Sequence, residues 1–155
     1  MKMLKEPVSN DKFNALIVEY LNTFNYLELN VGLCIRYISE MDLESANTKI
    51  GKMSFERKLE YLMSILNKDI GEDLRLWCEE AHSKRHERNM YMHGQWALFP
   101  YYDECVEFSI APWVRERYEK IYPGSRFSIE KLETVVSDIK HCFEEFQKLR
   151  RKYSI

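Results

Sequence analysis

Glycine, proline and cysteine are all scarce in this sequence, with five, four and four copies among its 155 residues. No linker, internal repeat or low-complexity segment divides the chain, and 45% of its residues are hydrophobic. A chain of this length can form one sizeable core and is too short to suggest two. We therefore expect a single domain over residues 1–155.

The few cysteines lie far apart and include no C-x-x-C pair; they are Cys34, Cys78, Cys105 and Cys142. This spacing indicates neither a zinc ribbon nor a dithiol redox site. We interpret them as buried thiols in a reducing cytoplasm, and we expect neither a metal nor a cofactor.

Long apolar runs and an excess of one charge are also missing. No run approaches the roughly 18 apolar residues of a membrane span, and the first ten residues lack the apolar core and cleavage site of a secretion signal. The 25 acidic and 23 basic residues nearly cancel, so no global positive field indicates nucleic acid or an anionic membrane. We expect a soluble cytoplasmic protein without membrane contact, in which any phosphate-binding site is local.

Apolar residues that recur at three- and four-residue steps predict four long helices, each with a capping or stop signal at its ends. Their predicted bounds are Asp11 to about Glu40, Ser54 to near Asn67, Gly71 to Gly94, and Ser128 to the basic run at 148–152. Between the last two, Trp96 and Leu98, and then Val106 and Phe108, alternate with their neighbours as strand residues do. Pro100 to Asp103 would turn a small β-hairpin, and Pro123-Gly124-Ser125 marks another loop. The patterns predict a mainly α fold of four to five helices with a hairpin insertion between the third and last long helices.

Polar residues extend the apolar stripe of the third helix. At about 100° per residue, Trp77, Cys78 and Ala81 fall within about 60° of Leu74. The same sector contains four residues of the following turns: Arg85, Arg88, Asn89 and Met92. An inward guanidinium or amide is costly unless it is paired, exposed in a cleft or held in a shared interface, and such breaks often mark functional sites.

Histidines line the flank of this stripe, in a ridge that contains His82, His86, Asn89 and His93. His93 would lie in the last turn, where the negative end of the helix dipole favours an imidazolium. RNA cleavage needs a base for the ribose 2′-hydroxyl, an acid for the leaving 5′-oxygen and cationic donors for the charge on phosphorus. Histidine and arginine supply all three without a metal.

A single copy of this helix hardly directs Arg88 and His93 to one phosphate, because they are about 140° apart on a regular helix. Two copies that meet across a twofold axis would do so. The structural alternative is that Arg88 makes an ion pair, for example with an acidic residue of the first helix, while His93 merely ends the third helix. A metal site at His82 and His86 is not favoured, because the H-E-x-x-H pattern is missing and neighbouring cations would oppose a dication.

The segment from Arg88 to His93, R-N-M-Y-M-H, resembles the motif of HEPN domains: arginine, a polar residue, three further residues and histidine. The order of the predicted helices, with the motif at the end of the third and a closing helix after it, also fits that family. HEPN proteins are helical domains, commonly dimeric, and many are metal-independent endoribonucleases in defence, toxin and RNA-processing systems. The resemblance implies catalytic roles for Arg88 and His93, with Asn89 supporting them.

Three hypotheses follow from these residues and this resemblance. The first is a homodimeric HEPN-type endoribonuclease whose shared cleft binds RNA through Arg85, His86 and His82. The second is a non-catalytic HEPN-like dimer that binds a nucleotide, RNA or a protein, and the third is a purely structural dimer held by arginine ion pairs. An antitoxin or another regulatory protein would be a further partner, although Gln95 stands where toxins with a nucleotidyltransferase antitoxin typically carry tyrosine.

Overall fold

Five α-helices dominate the part of the chain that this computed structural model describes, which comprises residues 10–66, 70–93, 95–99, 105–109 and 126–155. Their bounds are α1 Asn10–Ile38, α2 Leu43–Lys49, α3 Phe55–Ile65, α4 Glu72–His93 and α5 Ile129–Tyr153. The prediction of a mainly α fold is confirmed. None of the described helices is both long and apolar enough to cross a bilayer. At residues 10, 86, 90–93, 95–99, 105–109 and 126–128 the description is of the backbone.

The four long helices begin and end close to their predicted positions. α3 follows Ser54, whose hydroxyl accepts a hydrogen bond from the backbone N–H of Arg57 at 3.3 Å. Such a cap satisfies one of the backbone donors that the first turn of a helix leaves without an intrahelical partner. Asn67 and Gly94, the predicted ends of the second and third long helices, lie outside the described residues.

The short helix α2 has no counterpart among the predicted helices. Ala46 is its one buried residue, so no apolar periodicity marks it. Its N-cap is Asp42, whose carboxylate accepts a hydrogen bond from the backbone N–H of Ser45 at 2.7 Å. That bond lowers the pKa of Asp42. The local signal for this helix is therefore its cap and not its pattern of apolar residues.

Between α4 and α5 the described residues form three strands: β1 Gln95–Phe99, β2 Cys105–Ser109 and β3 Arg126–Ser128. β1 pairs antiparallel with β2, with Ala97 opposite Glu107, and β2 pairs antiparallel with β3, with Val106 opposite Phe127. The turn predicted at Pro100 to Asp103 and the loop predicted at 123–125 lie outside the described residues. The hairpin insertion therefore stays a prediction.

The chain divides into two compact units. One comprises Met1–Leu21 and His86–Asp138, and the other comprises Asn22–Arg85 and Ile139–Ile155. α1, α4 and α5 each contribute residues to both units. The single-domain organisation stays a prediction.

Apolar packing between α4 and α5 holds the unit of Asn22–Arg85 and Ile139–Ile155. Trp77 stacks on Phe146 with ring centroids 4.3 Å apart, and its indole N–H donates to the carbonyl of Cys142 at 2.9 Å. Full burial of a large apolar side chain contributes roughly 1.5–3 kcal/mol. The same core includes buried side chains of α1, α3 and α4, among them Phe24, Leu27, Leu59, Leu62 and Leu74.

The unit of Met1–Leu21 and His86–Asp138 has its own buried side chains on α1 and α5, among them Phe13, Tyr20, Ile129, Leu132 and Val135. At its surface, Lys12 and Glu133 form an ion pair at 2.7 Å with side chains that are 53% and 44% exposed. Exposed pairs of this kind contribute little stability, so apolar burial dominates in this unit too.

Candidate functional site

The first turn of α4 is tied to the last turn of α5 through Asp73. Lys152 Nζ lies 2.6 Å from the Asp73 carboxylate, and the hydroxyl of Tyr153 donates to its other oxygen. The carboxylate also accepts from the backbone N–H of Leu74 at 2.9 Å. The hydrogen bond from Lys152 and then that from Tyr153 lower the pKa of Asp73. The helix that carries the predicted site is thus held at its N-terminal end within one unit.

The polar extension of the α4 stripe is present in the structure. Leu74, Trp77, Cys78 and Ala81 are buried, and Arg85 comes next with a side chain that is only 19% exposed. Arg88 and Asn89 are half-buried. Guanidinium groups at such positions require partners, because desolvation of an unpaired charge is costly.

Glu56, in the first turn of α3, supplies the partner of Arg85. One of its carboxylate oxygens contacts Nη1 of Arg85, and the other lies 3.1 Å from Nε2 of His82. The side chains of Glu56 and His82 are each about one-third exposed, at 36% and 35%. Both oxygens of the carboxylate are therefore engaged by residues of α4, and α3 and α4 are joined at this point.

The structure thus brings together two of the predicted substrate-binding residues, His82 and Arg85, around a carboxylate that the sequence patterns do not identify. No spacing along the chain connects Glu56 with α4, so only the packing of the two helices could identify it. The structural alternative predicts an ion pair at Arg88, with an acidic residue of the first helix; the pair shown here is instead made by Arg85, with α3. Arg85 Nε is buried and makes no hydrogen bond within the described part of the chain, which leaves one donor of the guanidinium unused.

Glu56, Glu60 and His82 also form a group that could hold a metal ion, since one ligand atom from each lies within 4.8 Å of the others. Carboxylate and imidazole ligands suit several divalent metals. Yet Glu56 already contacts the Arg85 guanidinium, and a dication would have to compete with that cation for the same carboxylate. The donor set therefore favours the ion pair, and we assign no metal to it.

Arg88 and Asn89, the first two residues of the motif, are in direct contact. Arg88 Nη1 donates to the side-chain oxygen of Asn89 at 3.1 Å. Consecutive side chains point about 100° apart on a helix and do not normally face each other, so the arginine side chain bends around the helix to make this bond. The amide orients one side of a planar group whose fork of donors matches a phosphate.

His93 is the last residue of α4, as the sequence predicts, and His86 lies two turns before it. The backbone of both belongs to the described helix, while their side chains lie outside the described residues. Arg88, Asn89, His86 and His93 belong to one compact unit, and His82 and Arg85 belong to the other. The structure therefore describes the positions of the motif residues along α4. The convergence of Arg88 and His93 on one substrate stays a prediction.

Three of the four cysteines are free and buried, as predicted: Cys34, Cys78 and Cys142. Burial raises the pKa of Cys34 to about 11 and those of Cys78 and Cys142 to about 12. A thiol with such a pKa is almost wholly protonated at neutral pH and is a poor nucleophile or metal ligand. These residues belong to the core and not to a reactive site. The side chain of Cys105 lies outside the described residues.

Comparison with known proteins finds no matching family model, no matching curated protein and no matching solved structure.

Proposed function

We propose that this protein is a metal-independent endoribonuclease of the HEPN type, active as a dimer with a shared cleft, in defence or toxin–antitoxin biology. The proposal rests on the resemblance of the segment Arg88 to His93 to the HEPN motif. It is supported by the hydrogen bond between Arg88 and Asn89, which explains why a polar residue should follow the arginine. The amide holds the guanidinium in place, so the positive charge is oriented before a substrate arrives.

The proposed reaction is an attack of the ribose 2′-oxygen on the adjacent phosphorus. A base removes the proton of the 2′-hydroxyl, the new O2′–P bond forms, and the P–O5′ bond breaks. An acid donates a proton to the leaving O5′, so the products carry a 2′,3′-cyclic phosphate and a 5′-hydroxyl. Arg88 would stabilise the charge on the phosphoryl oxygens, and His93 would transfer protons.

The dimer in this proposal follows from helix geometry. Arg88 and His93 are five positions apart on α4 and so point about 140° away from each other. Groups contributed by two copies across a twofold axis could converge on one phosphate. Flanking phosphates would be bound by His82, Arg85 and His86. Arg85 would contribute less to phosphate binding than its charge suggests, because Glu56 already neutralises that charge.

The test is cleavage of a mixed pool of single-stranded and structured RNA in the presence of chelator. Arg88→Ala and His93→Ala should each lower the rate at least about 100-fold, as expected when a transition-state donor or a proton-transfer group is lost. The matched controls are Arg57→Ala and His141→Ala, which remove the same residue types from exposed positions on α3 and α5. The wild-type rate should change with pH across the range in which imidazoles titrate, roughly 6 to 7.

Two results would overturn the proposal. One is abolition of cleavage by the chelator, because the scheme uses arginine and histidine alone. The other is cleavage by Arg88→Ala and His93→Ala at the rate of the controls. Product ends other than a cyclic phosphate and a 5′-hydroxyl would contradict the proposed mechanism but not the proposed ribonuclease activity.

The alternative is a non-catalytic dimer that binds a nucleotide, an RNA or a protein at the same residues. A net charge of −2 favours this alternative with a nucleotide or a protein as the ligand, because nonspecific capture of RNA relies on a positive surface. In that case RNA or a nucleotide would bind without cleavage, and folded Arg88→Ala would lose the binding. An antitoxin or another regulatory protein remains a proposed partner in either case. Loss of folding in Arg88→Ala would instead support a structural role for the arginine.

A further inference from the structure

The helix α1 is apolar on two opposite sides. In its segment from Asn22 to Ile38, one side supplies buried core residues: Phe24, Leu27, Val31, Cys34 and Ile35. The other side exposes four large side chains, which we call the outer stripe: Tyr26 at 62%, Leu29 at 56%, Leu33 at 43% and Tyr37 at 65%. Exposed apolar residues that are scattered singly need no explanation, but a contiguous stripe indicates an interaction surface.

The geometry of a regular helix shows that the outer stripe is separate from the core side. At 100° per residue the two sets have centres roughly 145° apart around the helix axis. The outer stripe occupies a sector about 80° wide; Asn22 lies in it, and Asn30 and Arg36 each lie about 20° beside it, on opposite edges. Asn30 accepts hydrogen bonds from Gln147 at 3.1 Å and Arg150 at 2.7 Å, so a satisfied polar rim borders the stripe where α5 packs.

The outer stripe reads nearly the same in both directions, as tyrosine, leucine, leucine and tyrosine at positions 26, 29, 33 and 37. An isologous interface requires one surface to be complementary to itself. If two copies of α1 pack antiparallel about an axis near residue 31, Tyr26 of one faces Tyr37 of the other and the leucines meet in the centre. No charged residue of the segment falls inside the sector. Arg36, at its edge, would lie beside Tyr26 of the other copy and not opposite the second Arg36.

The size of the outer stripe suits a weak dimer. Two tyrosines and two leucines with roughly half of each side chain exposed present on the order of 400 Å² per copy. Two copies would bury about 800 Å² from these residues, which lies in the range of weak and transient interfaces, below about 1,200 Å².

We propose that a second copy of this chain docks on the outer stripe of α1, with the two helices antiparallel. The first test is sedimentation velocity of the full chain from about 1 to 200 μM, a range in which a weak dimer should pass from mostly monomer to mostly dimer. Leu29→Arg and Leu33→Arg should each weaken association at least about tenfold, since each places an unpaired guanidinium at the centre, opposite a leucine of the other copy. The matched control is Leu76→Arg, which changes a leucine on α4 that is 56% exposed.

Thermal melts show whether each variant folds. If an arginine variant does not fold, Leu33→Ala, a smaller perturbation, replaces it in the sedimentation test. A chain that stays monomeric throughout the concentration range overturns the proposal. Dissociation by Leu76→Arg to the same extent as by Leu33→Arg overturns the assignment to α1.

A cross-linking experiment tests the antiparallel arrangement. Tyr26 and Tyr37 are about 16 Å apart along the helix, whereas a disulfide requires Cα atoms within about 7 Å. Two variants are made, both in a Cys105→Ser background: one carries Tyr26→Cys and the other Tyr37→Cys. When the two variants are mixed and oxidised, they should form the mixed disulfide. Tyr26→Cys alone should not cross-link efficiently. Preferred cross-linking between two Tyr26→Cys chains would indicate parallel helices and overturn the arrangement.

This inference rests on the outer stripe itself, and only its link to catalysis rests on the proposed function. A Leu33→Arg monomer that still cleaves RNA would overturn the shared cleft and leave the docking surface standing. A chain that cleaves RNA but never dimerises would overturn the docking surface and require the catalytic groups to act within one copy.

Discussion

Replacement of Glu56 by glutamine tests how firmly the carboxylate on α3 holds the predicted substrate-binding residues of α4. Glutamine keeps the size of the side chain but removes its charge, so Arg85 loses its anion while the packing is retained. A hydrogen bond to a charged group contributes roughly 1.5–3 kcal/mol, and breaking a fully buried pair costs about 3–5 kcal/mol. Because the side chains of Arg85 and Glu56 are 19% and 36% exposed, breaking their pair should cost less than breaking a fully buried one. We expect Glu56→Gln to lower the free energy of unfolding by about 2 kcal/mol.

The measurement is urea denaturation followed by far-ultraviolet circular dichroism at neutral pH. The matched control is Glu133→Gln, which removes one partner of the exposed pair with Lys12 and should cost less than about 0.5 kcal/mol. A loss for Glu56→Gln no larger than that of the control would refute the argument that this carboxylate joins α3 to α4. If stability falls while RNA cleavage is unchanged, His82 and Arg85 are structural, and the predicted substrate-binding role is wrong for these two residues.

The remaining predictions concern stability. Lys58 and Glu28 form a pair at 2.7 Å with side chains only 12% and 23% exposed, so Glu28→Gln should cost about 3 kcal/mol in urea denaturation, and Glu28→Leu with Lys58→Met should recover most of it. Additive losses in that double variant would contradict a coupled pair. Ser54→Ala, which removes the cap of α3, should cost about 1 kcal/mol in the same assay, and no change would mean that the cap is dispensable. Burial raises the pKa of the three buried thiols to about 11 or 12. Below the usual thiol pKa these thiols are neutral in both the folded and the unfolded chain. Above it they ionise first in the unfolded chain, so the melting temperature should fall as pH rises through the alkaline range. In the native protein at pH 8, rapid labelling of more than the one remaining cysteine by a thiol reagent would show that they are not buried.

In α4, residue spacing alone identifies part of the candidate site. Counting positions identifies Arg85, Arg88 and Asn89 as polar residues that continue a buried stripe, and the structure gives these side chains intermediate burial. Spacing also predicts that His93 ends the helix, which it does. It does not predict that Arg88 bends to the amide next to it, because consecutive positions on a helix point in different directions. Nor does it predict Glu56, which reaches α4 from another helix.

The sequence by itself determined the four long helices, the cap at Ser54 and the burial of three thiols. Those features depend on period, capping and hydrophobicity, which act within a few residues of one another. The sequence did not predict α2, because seven residues with one buried side chain are too few to show a helical period.

Only the tertiary structure decided which charges meet and which apolar surfaces stay exposed. Glu56 and Arg85 are 29 positions apart in the chain, and their contact depends on the packing of α3 against α4. The outer stripe of α1 consists of tyrosines and leucines, which are as compatible with burial as the core side of that helix, and only the folded chain shows that it stays exposed. Burial depends on what packs against a helix, and that is a property of the folded chain and not of the local sequence.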